Sequence, residues 1–361
     1  MAKTSTTTKK RATKKTSKSP TSRKPAQPKK TVSEETAVVQ TTLSPVPDVQ
    51  TVQKAVQNGK KNDPETALVQ KRRVVNDLFQ RGLAAHQAGQ IDDAIRLYSA
   101  ALRQNPDQPD VWNNLGVALR RSKRFAAALI AYRRAADLRP ENAGLWSNMG
   151  NCLREMMRFD EALAAHKKAI ELDDTIKSHT FNTGLVYRDL NKFSEALGYF
   201  NRALAMDPEY VDANWDSALA HRALGDYAKG WAGYETRRQL ADNPIRPLDS
   251  APEWDGKGDL RGKRLLLRAE QGFGDMIQFA RFIPLVAKRA AHIIVECRKE
   301  LMPIMRTVSG VGAVVEKGRA LPEFDLHVPL LSLPHVLGIG EADLKKISAD
   351  PYLSPPKGKH V

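Results

Sequence analysis

Only two cysteines, Cys152 and Cys297, occur in the 361 residues. A disulfide framework is therefore excluded, and both read as small buried thiols in a reducing compartment, which places the chain in the cytoplasm. No run of about 18 apolar residues exists, so no membrane span is expected. The N-terminus carries positive charge with no apolar stretch behind it, so it does not read as a secretory signal. The histidines show no metal-ligand spacing, and no pattern calls for a cofactor. Acidic residues are absent from the first 33 positions, which hold eleven Lys and Arg. Eleven of the net +16 charges thus belong to this stretch, and the rest of the chain is close to balance. The basic character says little about the folded part.

Residues 1–70 are rich in Thr, Ser, Lys and Pro. Such a segment buries too little surface to offset its ordering entropy, and a disordered tail is expected. Its block from Lys9-Lys10-Arg11 to Lys14-Lys15 suits non-specific contact with an anionic partner, nucleic acid or a membrane surface. The plainer reading is a solubilising tail without a fixed partner.

What is abundant is periodicity. Between 71 and 241, Gly82, Gly116, Gly150 and Gly184 recur every 34 residues, and the next step lands on Ala218. Twelve residues after each glycine stand Ala94, Ala128, Ala162 and Ala196. Sixteen after stand Tyr98, Tyr132, His166 and Phe200, and nineteen after stand Ala101, Ala135, Ala169 and Ala203. Pro106, Pro140 and Pro208 close three units, and Trp112 and Trp146 open two. Small residues fit where two helices approach, a large ring fills the space beside them, and proline ends the second helix. The pattern resembles the helix–turn–helix unit of tetratricopeptide repeats (TPR), which implies an α-helical superhelix. Four units are clear. The fifth is degenerate, with Gly230 and Arg237 at the alanine positions, as expected of a terminal unit packed against something else.

In such a superhelix the first helix of each unit lines the concave face, where a protein or peptide partner is expected. Asn114, Asn148 and Asn182, then Asp216, form one column of that face; Arg120, Arg154, Arg188 and Arg222 form another. A carboxamide both donates to and accepts from a peptide unit, so the asparagines suit an extended backbone. An arginine column favours an acidic ligand. The alternatives are asparagines that tie down helix ends and arginines paired with Asp189 or Glu155 on their own helices.

Residues 242–251 read as a linker, and 252–361 as a Rossmann-like α/β half domain. Apolar runs at Arg264–Leu267, Ile293–Cys297, Ala313–Val315 and Phe324–Val328 alternate with helical spacing and predict a parallel sheet. After the first strand comes Gln271-Gly272-Phe273-Gly274-Asp275. Gly272 and Gly274 suit close approach of a ligand to the backbone, and a helix start there offers free N–H groups. A dinucleotide fingerprint is not met, because Ile277 stands where the third glycine belongs. Asp275 reads either as a helix cap or as a catalytic base.

Trp254-Asp255-Gly256, Gly262–Leu267, Glu270–Asp275 and Phe324–Pro334 resemble the region after the repeats in bacterial TPR-linked glycosyltransferases, similar to heptosyltransferases and O-GlcNAc transferases. That resemblance implies the first lobe of a GT-B fold, a nucleotide-sugar donor held mainly by a second lobe, and Asp275 as the base of an inverting transfer. No second lobe follows before Val361, so autonomous transfer is not expected. Two readings result: a protein-interaction scaffold carrying an incomplete transferase-like lobe, and a protein glycosyltransferase acting with a separate second lobe.

Overall fold

The computed structural model describes residues 64–240, 248, 250–270, 272–347 and 351–355. The basic block at 9–15, residues 242–247 and 249 of the expected 242–251 linker, and Gln271 lie outside them. Within the expected 1–70 tail, residues 64–70 belong to the first helix. That helix runs upstream of its packed residues: Val75 and Phe79 are buried, whereas Leu68 and Val74 are exposed.

The helices pair as the period predicts. They are α1 (Pro64–Gln87) with α2 (Ile91–Gln104), α3 (Pro109–Arg121) with α4 (Phe125–Leu138), and α5 (Ala143–Glu155) with α6 (Phe159–Leu172). Then follow α7 (Lys177–Asp189) with α8 (Phe193–Met206), and α9 (Val211–Ala223) with α10 (Tyr227–Tyr234). The column glycines are required by contact. A Cβ at Gly82 would stand 2.5 Å from the Tyr98 ring, and one at Gly150 would stand 2.6 Å from His166. In the fifth pair the methyl group has moved: Ala218 carries it, and Gly233 gives way, since a Cβ there would stand 2.8 Å from that of Ala218. The opening and closing residues are also joined. Trp112 Nε1 donates to the Pro106 carbonyl at 2.6 Å and Trp146 Nε1 to that of Pro140 at 2.8 Å. In the last unit Asn214 Nδ2 makes the same bond to Pro208 at 2.9 Å.

Each turn between paired helices holds one residue in the left-handed region: Gly89, Lys123, Met157, Asn191 and Gly225, again 34 apart. The residue after each donates to a carbonyl five positions back, as Arg124 does to Leu119 and Arg158 to Leu153, which closes the first helix in a Schellman motif.

The second part is a four-stranded parallel sheet in the order β3-β2-β1-β4. Its strands are β1 (Arg264–Arg268), β2 (His292–Cys297), β3 (Val311–Glu316) and β4 (Leu326–Pro329). Between β1 and β2 lie α11 (Phe273–Phe279), a 3-10 turn at Ala280–Phe282, and α12 (Ile283–Ala287). Helices α13 (Met302–Met305), α14 (Leu333–Val336) and α15 (Glu341–Ile347) complete the layer. Leu265, Leu266 and Leu267 are fully buried, so both faces of β1 are covered, as parallel sheets require. Pro252–Trp254 lies along the outer edge of β4: Trp254 N donates to the His327 carbonyl and His327 N to that of Pro252. That covers an otherwise unpaired edge.

The sheet lobe and the fifth repeat share one core. Trp231 and Tyr234 of α10 pack with Phe279, Phe282, Leu265, Leu267 and Val328. The Tyr234 and Phe279 rings stack 6.0 Å apart, and Trp231 meets Phe282 edge-on at 6.4 Å.

Candidate functional site

The asparagine column knits the inner helices together. Asn148 Nδ2 donates to Asn113 Oδ1 at 3.0 Å, and Asn182 Nδ2 to Ser147 Oγ at 3.4 Å. Each bond joins neighbouring inner helices. Asn114 Nδ2 instead donates to the Asp110 carbonyl of its own helix at 2.9 Å. Asn114 and Asn182 are buried and Asn148 is half-buried. Among the described residues, Asn113 Nδ2, Asn151 Oδ1 and Asn182 Oδ1 have no partner. Buried amide groups normally find one.

The arginine column is a ladder of ion pairs. Arg120 Nη1 donates to Glu155 Oε1 at 2.6 Å, and Arg154 Nη1 to Asp189 Oδ2 at 3.3 Å. Each acid stands 35 residues beyond its arginine, on the next inner helix rather than the arginine's own. The step from Arg188 lands on Ala223, and Arg188 pairs with Asp216 and with Asp189 of its own helix. The first three arginines are therefore neutralised within the chain, and an acidic ligand would compete with these carboxylates.

Arg222 differs, since among the described residues no further inner helix follows. Its guanidinium lies over the Trp231 ring at 4.3 Å and the Tyr234 ring at 4.7 Å. Gly230 makes the room, because a Cβ there would collide with the Arg222 side chain. Burial lowers the Arg222 pKa from its ordinary value, while Tyr234, Tyr227 and Asp275 act the other way. Among the described residues no carboxylate forms an ion pair with it. Beside it opens a cavity of about 520 Å³, between the fifth repeat and the sheet lobe.

In an open parallel sheet, ligands bind beyond the carboxyl ends of the strands where the strand order reverses. Here that point lies between β1 and β4, and the repeats fill it. Arg237, from the 3-10 turn Glu235–Gln239 after α10, donates from Nε to Glu270 Oε2 at 2.9 Å and from Nη2 to Glu270 Oε1 at 2.6 Å. Its Nη2 also donates to Ser332 Oγ at 2.8 Å and its Nη1 to Glu235 Oε1 at 2.7 Å. Arg237 and Glu270 are each only 6% exposed. The sequence signalled Arg237 as an anomaly in an alanine column. Its partners Glu270 and Ser332 carried no signal, because only the fold brings them to one crevice.

Gly272 precedes α11 with φ of 81°, a conformation that favours glycine. Asp275 lies in the first turn of α11 and is exposed, with its carboxylate curled back towards Gly272. A carboxylate there is favoured by the helix dipole. Asp275 also acts electrostatically on Arg222 and Tyr234, at the end of the arginine column. Around Gly274 a side chain would meet open space, so no close packing selects that glycine. Among the described residues no group of three or more His, Cys, Asp or Glu is placed to hold a metal, and no helix is long and apolar enough to cross a membrane.

Residues 79–143 and 141–209 match family models described as tetratricopeptide repeat. A segment of 62 residues is 42% identical to protein FlbA of Caulobacter vibrioides and covers 17% of this chain. The chain spans about a tenth of the length of that relative, 10%. Solved structures that resemble the chain include MamA, at 17% identity and TM-score 0.42 over 48% of this chain and 98% of that one. PilF of Pseudomonas aeruginosa matches at 23% identity and TM-score 0.43 over 47% and 77%. YrrB, described as a TPR protein with an unusual peptide-binding site, matches at 16% and 0.39 over 53% and 92%. The helical part of this chain is a tetratricopeptide-repeat superhelix, followed by a small parallel sheet.

Proposed function

We propose that the chain is a protein-interaction scaffold that holds an extended polypeptide along the inner helices of its repeats. The supporting observation is the cross-helix row of carboxamides along the inner helices, in which Asn148 is half-buried and within reach of a ligand. A carboxamide such as that of Asn148 both donates to and accepts from a peptide unit, which suits a peptide backbone whatever its sequence. The arginine ladder adds selectivity, because a ligand acid must displace an internal one. The setting we infer is the cytoplasm, in keeping with the buried free thiols of Cys152 and Cys297. The test is selection of a random dodecamer display library on the full chain. Enriched peptides are then titrated against wild type and Asn148→Ala/Asn182→Ala, with folding checked by a thermal melt. Weakening of about tenfold is expected for two lost polar contacts. An undiminished affinity in the folded double variant removes the asparagine row from the site.

A second reading rests on the position of Asp275. It is exposed at the end of the inner arginine column, within electrostatic reach of Arg222 and Tyr234. A polypeptide leaving the repeats there would bring a hydroxyl towards this carboxylate. Acting as base, Asp275 would take the hydroxyl proton while the oxygen bonds to the anomeric carbon of a nucleotide sugar and the nucleoside diphosphate leaves. Transfer from a nucleotide-sugar panel to a selected peptide should be seen with wild type and lost with Asp275→Asn. Absence of nucleotide-sugar binding by calorimetry would remove this reading and leave the scaffold standing.

A further inference from the structure

The ladder of the inner face has a rule and one exception. An inner-column arginine meets a carboxylate offered by its own or the following inner helix. After Arg222 the following element is the sheet lobe, whose Phe279 and Phe282 pack on α10 in the place of another repeat. Arg222 there meets the Trp231 and Tyr234 rings of α10 instead of a carboxylate, and the cavity opens beside it.

The cavity has a defined chemistry. Its polar groups include two guanidinium groups, those of Arg222 and Arg281. The Trp231 indole also lines it, is 95% buried (5% exposed), and its Nε1–H has no acceptor among the described residues. Around these donors stand Leu219, Phe279, Phe282 and Leu344. Arg281 Nε already donates to the Gln278 carbonyl at 2.9 Å, and Arg222 bonds to Tyr234. Neither guanidinium has a carboxylate ion pair among the described residues, and the Trp231 N–H has no acceptor. Such a lining selects an anion, and the planar Arg222 guanidinium, held flat by two rings, suits a carboxylate. The apolar walls ask for hydrocarbon on the same ligand. In a polypeptide, the residue that joins an apolar side chain directly to a carboxylate is a C-terminal one.

We propose that this cavity binds the C-terminal residue of a partner polypeptide, with its carboxylate on Arg222 and its apolar side chain between Phe279, Phe282 and Leu344. This rests on the reading that the repeats hold a polypeptide, and adds which part of that polypeptide is recognised. The ring stack is what makes Arg222 specific: it fixes the guanidinium plane before the ligand arrives, so little rotamer entropy is lost on binding.

The experiment uses the full chain with 15N-labelled indoles. The Trp231 signal, one of five, is assigned by its loss in Trp231→Phe. N-acetyl-L-phenylalanine and its amide are titrated in parallel. The acid should shift the Trp231 signal, and the amide should bind about tenfold more weakly because it lacks the charge. Arg222→Gln should reduce binding of the acid to the level of the amide and leave the amide unchanged. Should that variant fail to fold, Leu344→Trp fills the cavity from α15 and should exclude the acid. Equal binding of acid and amide overturns the proposal, as does undiminished binding of the acid to a folded Arg222→Gln or Leu344→Trp protein. So does displacement of the acid by an equal concentration of inorganic phosphate, which would mean a site for any small anion. Neither probe reaches Asn148, so failure here is distinguishable from failure of the peptide row on the inner helices.

Discussion

At the scale of the residue, the left-handed turn positions bear unequal costs. Gly89 and Gly225 adopt that conformation freely, Asn191 tolerates it, and Lys123 and Met157 do not. Met157 is 74% exposed, so its side chain contributes little burial in return. Met157→Gly should therefore stabilise the protein by about 1 kcal/mol, reduced by the entropy glycine loses on folding. A rise in the urea midpoint at unchanged slope checks this; a fall would show that the methionine packs usefully. This column was invisible in the sequence because five positions hold four residue types, whereas the glycine–aromatic column was legible because sterics permit few alternatives. His166 is the odd member of the aromatic column. It is fully enclosed, both ring nitrogens lack partners among the described residues, and burial above all, helped by Arg154 and His179, lowers its pKa from 6.5 to about 3. A folded pKa below the unfolded one means that the unfolded chain binds the proton first. Stability should then be lost as pH falls from about 6.5 towards 3, reaching about 2 kcal/mol at pH 5 from this group. His86, lowered to about 4 by burial and Arg121, adds to the same trend. His166→Phe, the residue found at Phe200, should flatten the acid limb of the stability–pH curve. An unchanged acid limb would place the sensitivity elsewhere.

At the scale of the element, the degenerate fifth unit was the most informative part of the repeat pattern. Its two departures from alanine are the residues that make the junction: Gly230 admits Arg222, and Arg237 reaches the sheet. The sequence therefore pointed to a unit packed against something else, and the fold puts both departures at that junction. It did not show the strand order, because four short apolar runs fit several parallel arrangements until their pairing is seen. Nor did it show which arginine each acid of the inner ladder meets. Glu155 and Asp189 read as partners of arginines on their own helices, and only stacking places them against the arginine of the preceding inner helix. The Arg237–Glu270 pair lends itself to measurement. Arg237→Met leaves Glu270 buried without its partner, and a loss of about 3–5 kcal/mol is expected. Arg237→Met with Glu270→Gln removes both charges and should recover much of that loss, because an uncompensated buried charge costs more than an absent pair. If the double variant is as unstable as the single one, the clamp acts through packing rather than charge.

At the scale of the whole molecule, the buried side chains do not follow the repeat boundaries. One core runs through the first three units, from Val75 to Ala165 and on to Val186. A second joins the fourth unit to the first helix of the fifth, through Phe181, Phe200, Ala213 and Ala220. The third joins the fifth unit to the sheet, with Trp231 and Tyr234 among the strand residues. Repeat arrays are stabilised by nearest-neighbour interfaces, so a break in the core marks where cooperativity weakens. The sheet lobe is thus the terminal cap of the array as well as a neighbour of its cavity: it covers the rings that the fifth unit would otherwise expose. A chain ending at Ser250 should keep hydrogen-exchange protection in α3–α8 and lose it in α10, where Trp231 and Tyr234 would face water. Loss of that burial is on the order of a few kcal/mol for two aromatic side chains, enough to open an eight-residue helix. The comparison is residue-resolved exchange in the full and shortened chains under the same conditions. If α10 stays as protected as α8 in the shortened chain, the fifth unit is stable by itself, and the shared core serves to position the sheet rather than to complete the repeats.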